Sequence, residues 1–292
     1  MTISPSPARL LPGAPVAEAV LASVTARARV LRERGTVPSL ATILVGDDDA
    51  SAGYIRIKQR RAAALGFRSP HVHLPADTTQ QQLHDAIRAL NDDPDVHGVL
   101  VQHPLPAHLD HGAALEIVAP DKDVDGMHPV NLGRLAAGLP APTPCTPAGI
   151  EALLDHYDIP VRGRHVVVLG RGATLGRPLS ILLSQKRETA DAAVTVVHTG
   201  VPDWGAHTRA ADILVAAAGV PGIVRPEHVR PGGVVIGGGV RYDGRRLLPD
   251  VDESCAGTAG AITPRVGGVG PTTVAMLFRN TIDAAEAMAA GA

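Results

Sequence analysis

The residues Val166–Pro178, VVVLGRGATLGRP, indicate the fold class of this chain. They are a short apolar run followed by three glycines, Gly170, Gly172 and Gly176. Glycines after a buried strand let the backbone approach a pyrophosphate, and the next helix offers free N–H groups at its positive end. The pattern matches the dinucleotide fingerprint G-x-G-x-x-G with one extra residue before the last glycine. It predicts a Rossmann-type unit, and the alternative is a tight strand–helix turn without a ligand.

Short apolar segments alternate with helical segments on both sides of this turn. The predicted strands lie within Ser39–Gly46, Ser69–Pro75, Val96–Pro106, Arg164–Gly170, Ala193–His198, Ala211–Gly219 and Gly232–Gly239. The predicted helices cover Ala50–Leu65, Thr78–Asp93, Arg177–Lys186 and Pro271–Ala290. Because β-α-β alternation builds parallel sheets with helices on both faces, we predict an α/β protein whose ligands lie beyond the carboxyl ends of the strands.

A segment rich in proline and glycine separates the two series of strands and helices. It reads LAAGLPAPTPCTP from Leu135 to Pro147. Such a composition indicates a domain boundary or a constrained crossing of the chain. We therefore predict two α/β domains, of which the C-terminal one is a Rossmann-type parallel sheet.

Composition and charge exclude several classes of protein. The chain has 292 residues, 45% of them hydrophobic and 19% charged, which is typical of a globular protein with a sizeable core. A formal net charge of −2 and an aromatic content of 2% give no basis for binding nucleic acid. No apolar run reaches the ~18 residues of a membrane span, and the N-terminus lacks a leader signature, so we expect a cytoplasmic protein without a membrane partner.

Neither the cysteines nor the histidines show the spacing of a metal site. Cys145 and Cys255 form no Cys-x-x-Cys motif and are too few for a disulfide framework. His103, His128 and His198 have no partners at ligand spacing. We therefore expect no metal, and we interpret Cys145 as a small buried residue.

The residues after the second strand of the Rossmann-type unit indicate which dinucleotide it binds. A site for NAD usually has Asp or Glu there, whereas a site for NADP replaces the acid by a cation or a donor. Here the strand ends in His198 and Thr199, and Arg171 lies in the glycine turn. This favours NADP, with Arg171 as a solvated surface residue the alternative.

Seven stretches together resemble the methylenetetrahydrofolate dehydrogenase/cyclohydrolase family. They are ASAGYIRIKQRRAAALGF, GVLVQHPLP, PDKDVDGMHPVNLGRL, PCTPAGI, GRGATLGRP, HTG and ITPRVGGVGPTTVAML, in family order and spacing from about Ser39 onward. The resemblance implies an NADP-linked oxidation of 5,10-methylenetetrahydrofolate to the methenyl cation, followed by hydrolysis to 10-formyltetrahydrofolate. It also implies a homodimer that serves one-carbon metabolism and purine biosynthesis.

The resemblance also implies a division of the chain and a place for the reaction. A folate-binding catalytic domain would cover residues 1–146 and be joined by the C-terminal helix, residues 272–292. The NADP-binding Rossmann domain would cover residues 147–271, and both steps would share one folate cleft between the domains. The cofactor residues would be those at the glycine turn and the next strand end: Gly170, Arg171, Gly172, Gly176, His198 and Thr199.

Site residues can be carried over position by position from the same resemblance. Tyr54 matches the tyrosine that stacks on the folate ring, Lys58 the lysine at the reacting carbon, and Gln102 the glutamine paired with it. These three form the implied catalytic set. Asp125 matches the acid that holds the amino edge of the pterin. The run Gly268, Val269, Gly270 and Pro271 matches a loop that lines the folate cleft.

Elementary chemistry supports these roles for Tyr54 and Lys58. Residues four apart on a helix project from one face, so a flat ring and an amine can meet the same ligand. Hydration of the methenyl carbon requires a base, and a lysine with a pKa of about 10.4 serves as one only if burial or a nearby charge lowers its pKa. The alternative is two ordinary residues of an amphipathic helix, and for Asp125 it is a turn position before Gly126.

Several positions depart from the family pattern, among them Arg265 and Val266 in place of Val-Pro before Gly267. His103 replaces a leucine beside Gln102, Gly172 replaces a serine in the cofactor turn, and Gly237 replaces an aspartate near the nicotinamide. Other hypotheses remain open at this point. They are a monofunctional relative that retains only one step, a non-catalytic folate or dinucleotide sensor, and a different Rossmann dehydrogenase such as a shikimate-type enzyme.

Overall fold

A computed structural model of the chain describes residues 8–243 and 246–291. The helices in this part are α1 (Gly13–Glu33), α2 (Asp49–Leu65), α3 (Gln80–Asp92), α4 (His111–Ile117), α5 (Pro129–Ala136), α6 (Cys145–His156), α7 (Gly176–Ser184), α8 (Trp204–Arg209) and α9 (Val269–Gly291). The strands are β1 (Arg9–Leu10), β2 (Leu40–Val45), β3 (His71–Leu74), β4 (Gly98–Val101), β5 (His165–Leu169), β6 (Ala193–Val197), β7 (Ile213–Ala216), β8 (Val234–Gly237), β9 (Val240–Asp243), β10 (Arg246–Pro249) and β11 (Ala261–Ile262). Residues 1–7 and 292, on which predictions about the N-terminus and the helix end fall, lie outside the described residues.

The chain forms two compact units. The described residues of Met1–Ala17 and Thr146–Thr273 make up one, here called the six-stranded unit after its sheet. Those of Glu18–Cys145 and Val274–Ala292 make up the other, the three-stranded unit. None of the described helices combines the length and apolar character that crossing a bilayer requires.

The three-stranded unit is built on a parallel sheet with strand order β3-β2-β4. Every residue of β2 is buried, as expected of a central strand covered on both faces. Helix α2 begins after Asp48, whose carboxylate accepts the N–H of Ser51, and ends at Gly66, whose φ of 73° suits glycine. Helix α3 begins with a capping box between Thr79 and Gln82. These caps fix where α2 presents its side chains.

The six-stranded unit is a parallel sheet with strand order β1-β11-β8-β7-β5-β6. The chain runs from β5 outward to β6 and then returns to the other side of β5 to form β7. The strand order therefore reverses between β5 and β7, and the crevice at such a switch point is where ligands bind in open α/β sheets. β9 and β10 form a separate antiparallel pair.

The sequence predicted most strands of the two parallel sheets but missed five helices and the shortest strands. The prediction of two α/β units with a Rossmann-type parallel sheet is confirmed. Helix α9 begins at Val269, two residues before the predicted start, so Gly270 and Pro271 belong to its first turn. Helices α1, α4, α5, α6 and α8 are not among the predicted elements, and β1 and β11, with two residues each, are too short to show a periodic pattern.

Candidate active site

Lys58 and Gln102 meet at the carboxyl end of the three-stranded sheet. Lys58 lies on α2, and Gln102 is the residue after β4. The Lys58 Nζ donates to Oε1 of Gln102 at 2.8 Å. The Gln102 amide nitrogen donates to the carbonyl of His103 at 2.7 Å, which holds the amide with its oxygen toward the lysine. The partner of the amine is therefore neutral and does not favour its protonated form as a carboxylate would.

Asp125 and Cys145 complete a cluster around this amine. Burial lowers the pKa of Lys58, and the negative charge available at Asp125 and at Cys145 partly opposes that shift. Burial raises the pKa of Asp125, as does the neighbouring charge of Asp123, while Lys58 lowers it. The buried Cys145 thiol donates to the carbonyl of Val124 at 3.3 Å, and its pKa is raised by burial and by Asp125. A partly buried acid and a partly buried amine thus share one site.

Two carboxylates of the run Asp121–Gly126 have different surroundings: Asp123 binds backbone N–H groups, whereas Asp125 interacts with the side chains of Cys145 and Lys58. Asp123 accepts the N–H groups of Gly126, Met127 and His128 at 3.1, 3.2 and 2.7 Å, so its carboxylate is occupied by its own backbone. Asn131 adds a further bond to Asp123 at 2.9 Å. Asp125, two residues on, is left to face the amine of Lys58.

Lys122, in the same run, is buried rather than solvated. Its side chain is 5% exposed, and Nζ donates to the carbonyls of Leu90, Asn91 and Asp93. The ammonium satisfies three carbonyl groups at the C-terminal end of α3, where a positive charge is favourable. Sequence reasoning missed this role because the carbonyls lie about 30 residues upstream.

The glycine turn after β5 has the close packing that a phosphate-binding turn requires. Gly170 has φ of 127°, and a Cβ there would lie 2.1 Å from the carbonyl oxygen of Ala217. A Cβ at Gly176 would lie 2.3 Å from the carbonyl oxygen of Gly170, whereas one at Gly172 would meet no atom within 4 Å. Helix α7 follows at once, and Leu175 before it provides no side-chain cap. Of its first three residues, Arg177 donates its N–H to the carbonyl of Gly172 at 3.1 Å and Pro178 has no N–H, so the N–H of Gly176 is left for an anion.

The remaining predicted cofactor residues lie around this turn. Arg171 and Thr199 are exposed, and His198 is partly buried at the end of β6. The His198 Nδ1 accepts the N–H of Gly200 at 3.1 Å, which turns the backbone away from the strand. The residue after β6 is therefore a histidine and the next a threonine, with no carboxylate in either position to repel a 2′-phosphate.

Comparison with known proteins places the chain in a family. The family models described as tetrahydrofolate dehydrogenase/cyclohydrolase match residues 11–125 (catalytic domain) and 144–289 (NAD(P)-binding domain). A bifunctional FolD protein of Salinispora tropica is 70% identical over 98% of this chain and 94% of its own, and one of Syntrophotalea carbinolica is 57% identical over 96% of each. The structure of the Trypanosoma brucei dehydrogenase-cyclohydrolase complexed with NADP and an inhibitor is 39% identical, with a TM-score of 0.89 over 97% of this chain and 99% of that one.

The chain belongs to the tetrahydrofolate dehydrogenase/cyclohydrolase family. The predictions of the family, of a bifunctional dehydrogenase and cyclohydrolase, and of NADP as its cofactor are confirmed. The individual site residues stay predictions, and the structure reports where each of them lies.

Within the three-stranded unit, the structure brings together three of the residues that the family resemblance singled out: Lys58, Gln102 and Asp125. Tyr54 lies one turn before Lys58 on α2 and is 42% exposed, which leaves its ring accessible to a ligand. His103, which replaces the family leucine, is exposed, and its ring packs edge-on against His111 with centroids 5.0 Å apart.

The run Gly268–Pro271 lies in the six-stranded unit, at the start of α9. A Cβ at Gly13 would lie 1.9 Å from the carbonyl oxygen of Gly268, so α1 and this segment pack backbone against backbone. Gly268 is buried, Gly270 is exposed and Pro271 is half-buried. Packing thus accounts for Gly268, while Gly270 and Pro271 remain the accessible part of the predicted substrate loop.

A cavity of about 570 Å³ in the three-stranded unit contains none of the predicted folate residues. Its lining includes Asn131 and Asn280, whose amide groups bind Asp123 and the carbonyl of Val124. The cavity therefore lies behind the backbone that carries Asp125.

Proposed function

We propose that the protein oxidises 5,10-methylenetetrahydrofolate with NADP⁺ and hydrolyses the resulting methenyl cation to 10-formyltetrahydrofolate at one folate site. The observation that carries this proposal is the hydrogen bond from the partly buried Lys58 amine to the neutral Gln102 amide, next to Asp125. A dehydrogenase alone needs no base at the folate, since the hydride leaves a stabilised cation. A base with a lowered pKa is what the hydrolytic step requires.

In this mechanism Asp125 holds the pterin. A carboxylate accepts hydrogen bonds from an amino group and a neighbouring ring N–H together, and such charge-assisted pairs fix both position and angle. The Tyr54 ring supplies a flat surface at low cost in conformational entropy. We propose that these two residues place the one-carbon unit of the folate at the amine of Lys58.

Lys58 then acts as the base of the hydrolytic step. Its neutral amine takes a proton from the water that attacks the methenyl carbon, which gives a neutral carbinolamine and an ammonium. When the bond from this carbon to N5 breaks, the ammonium gives its proton to N5, and the hydroxyl proton leaves to solvent as the formyl group forms. Burial lowers the pKa of Lys58, and a cationic substrate lowers it further by charge repulsion. Gln102 keeps the amine in place through the 2.8 Å bond without adding charge.

The six-stranded unit binds the cofactor in this proposal. NADP⁺, when bound, accepts the hydride. The glycine turn and the uncapped start of α7 hold its diphosphate, and Arg171, His198 and Thr199 meet the 2′-phosphate. We further propose that the functional division follows residues 1–146 with 272–292 and residues 147–271, with β1 and the start of α1 packed in the six-stranded unit. We also propose that the loop Gly268–Pro271 contributes to the folate site.

The proposal also covers the oligomeric state, the metabolic role and the location of the protein. The family resemblance supports a homodimer, a place in one-carbon metabolism that feeds purine biosynthesis, and a cytoplasmic location. Gel filtration with light scattering tests the first of these, and a monomeric enzyme with both activities would exclude it.

A continuous spectrophotometric assay tests the function. Purified protein is given methylenetetrahydrofolate with NADP⁺ or with NAD⁺, and the methenyl absorbance is followed as it forms and decays. Lys58→Met should abolish the decay while oxidation continues, and Lys186→Met, an exposed lysine of the other unit, should behave as the wild type. A Lys58→Met variant with full hydrolytic turnover would exclude Lys58 as the base. A wild-type protein that performs only one step would favour the monofunctional alternative.

A further inference from the structure

A buried carboxylate lies behind the loop that follows β7, outside the residues discussed so far. Asp250 is 0% exposed. Its Oδ2 accepts the N–H groups of Ala218 at 2.7 Å and Gly219 at 2.9 Å, and the N–H of Val220 also bonds to the carboxylate. Among the described residues, no arginine, lysine or histidine forms an ion pair with it. The charge of Asp250 is thus balanced by backbone dipoles of one loop.

That loop occupies the switch point of the six-stranded sheet. It begins where β7 ends, and the carbonyl of Ala217 lies against Gly170 so closely that only glycine fits there. The carbonyl of Ala216 accepts the N–H groups of Gly238 and Gly239, which follow β8. The ends of β5, β7 and β8 therefore meet at one place, which is the crevice where a dinucleotide crosses a doubly wound sheet.

A glycine beside Asp250 leaves room for its carboxylate. A Cβ at Gly239 would lie 1.9 Å from Oδ2, so the third glycine of the run Gly237–Gly239 makes room for this group. Burial raises the pKa of Asp250, and the three backbone N–H groups act against that shift. The second oxygen, Oδ1, is buried and has no hydrogen-bond partner among the described residues, so the hydrogen bonds of the carboxylate within this part of the chain are those to the loop.

We infer that Asp250 is a positioning residue for the dinucleotide, which sets the conformation of Ala218–Val220 so that this loop receives the nicotinamide half beside the glycine turn. The inference rests on the proposed function. Because three of its N–H groups bond to one buried carboxylate, the loop is held in one conformation before the ligand binds. Such preorganisation reduces the conformational entropy that is lost on binding. Asp250 itself is too deeply buried to touch the ligand.

A measurement of NADP⁺ binding at equilibrium distinguishes a positioning role of Asp250 from a role in keeping the unit folded. NADP⁺ is titrated into the full-length protein by calorimetry, which reports the dissociation constant and the number of competent sites separately. Asp250→Ala removes the acceptor and should weaken NADP⁺ binding at least tenfold with the stoichiometry unchanged. Asp250→Asn keeps an acceptor oxygen without the charge and should fall between the wild type and Asp250→Ala. The dehydrogenase KM for NADP⁺ should rise in the same order with a smaller change in kcat.

The hydrolysis of methenyltetrahydrofolate serves as an internal control, since that step uses no dinucleotide. Both variants should hydrolyse it within twofold of the wild-type rate. Asp252→Asn, an exposed carboxylate two residues away that caps the N–H of Ser254, should match the wild type in every measurement.

Two results would overturn the inference. One is a dissociation constant within twofold of the wild type in both variants. The other is a loss of stoichiometry at constant affinity, which would show that Asp250 only keeps the unit folded. If Asp250→Ala does not fold, the dissociation constant and the stoichiometry of Asp250→Asn test the inference in its place. A wild-type protein that binds no NADP⁺ would instead refute the proposed function, so the two failures are distinguishable.

Discussion

Replacing Gln102 by glutamate tests the central claim about the base. The change exchanges an amide for a carboxylate at nearly constant size, so the Lys58 Nζ would face a negative charge at the 2.8 Å that now separates it from Oε1. A carboxylate favours the ammonium form of lysine, which is the form that accepts no proton from water. The variant should therefore lose hydrolysis through protonation rather than through loss of shape.

The size of the effect follows from the distance. Two unit charges 2.8 Å apart attract each other by about 6 kcal/mol at an effective dielectric constant of 20. This corresponds to about 4 pKa units, and desolvation of the new carboxylate reduces it to roughly 2–4. At neutral pH the neutral fraction of Lys58, and with it the hydrolysis rate, should fall by roughly 100-fold to 10,000-fold.

The assay is the decay of methenyl absorbance across a pH series, with oxidation of methylenetetrahydrofolate measured on the same samples. In the wild type the hydrolysis rate rises with pH through the lowered pKa of Lys58. In Gln102→Glu this rise should move to higher pH, so that raising the pH restores part of the rate. Gln102→Leu, which removes the hydrogen bond without adding charge, is the matched control and should lower the rate without moving the rise upward.

One outcome refutes the reasoning. If Gln102→Glu hydrolyses the methenyl compound within threefold of the wild type at neutral pH, with an unchanged pH profile, then proton transfer to Lys58 does not limit the step. Equal loss of oxidation and hydrolysis in the variant would instead point to impaired folate binding.

Three further predictions follow from packing, capping and charge. Gly170→Ala should lower the melting temperature and abolish NADP⁺ binding, because its Cβ would overlap the carbonyl of Ala217 at a φ of 127°, whereas Gly172→Ala, with open space around it, should leave the melting temperature unchanged. Thr79→Ala should reduce the free energy of unfolding by about 1 kcal/mol through loss of the N-cap of α3, measured by urea denaturation, with both activities intact. Because the pKa of Asp125 is raised, the folate KM should increase as the pH falls through a range above that of an ordinary aspartate, and Asp125→Asn should flatten this dependence at a permanently high KM.

The sequence predicted elements whose signals are local. The strand at β5, its glycine turn and the helices α2 and α3 all depend on signals close together in the chain, and the structure has them within two residues of the predicted positions. What the sequence left unpredicted depends on distant partners. Two-residue strands have no periodicity to detect, and nothing near Lys122 in the chain reveals the carbonyl groups that its ammonium binds.

The candidate site shows the same division. The Tyr54–Lys58 spacing predicts that both side chains can meet one ligand, because a helix brings positions four apart onto one face. The pairing of Lys58 with Gln102 came from family resemblance, and the structure gives it a distance. The contact of Cys145 with Asp125, and the carboxylate of Asp250 behind its loop, have no sequence pattern, since each joins residues that only the fold brings together.

The opposite pKa shifts of Lys58 and Asp125 suggest how one site serves both steps of the proposed reaction. Burial favours the neutral form of each group, while their mutual attraction favours the charged pair. Without a cationic substrate, the attraction between Lys58 and Asp125 acts against the lowering of the Lys58 pKa. Once the folate carries a positive charge, the substrate itself balances Asp125, and the same charge repels the proton on Lys58. Oxidation of the folate thus creates the cation that turns the lysine into a base, so the first step prepares the residue that the second step needs.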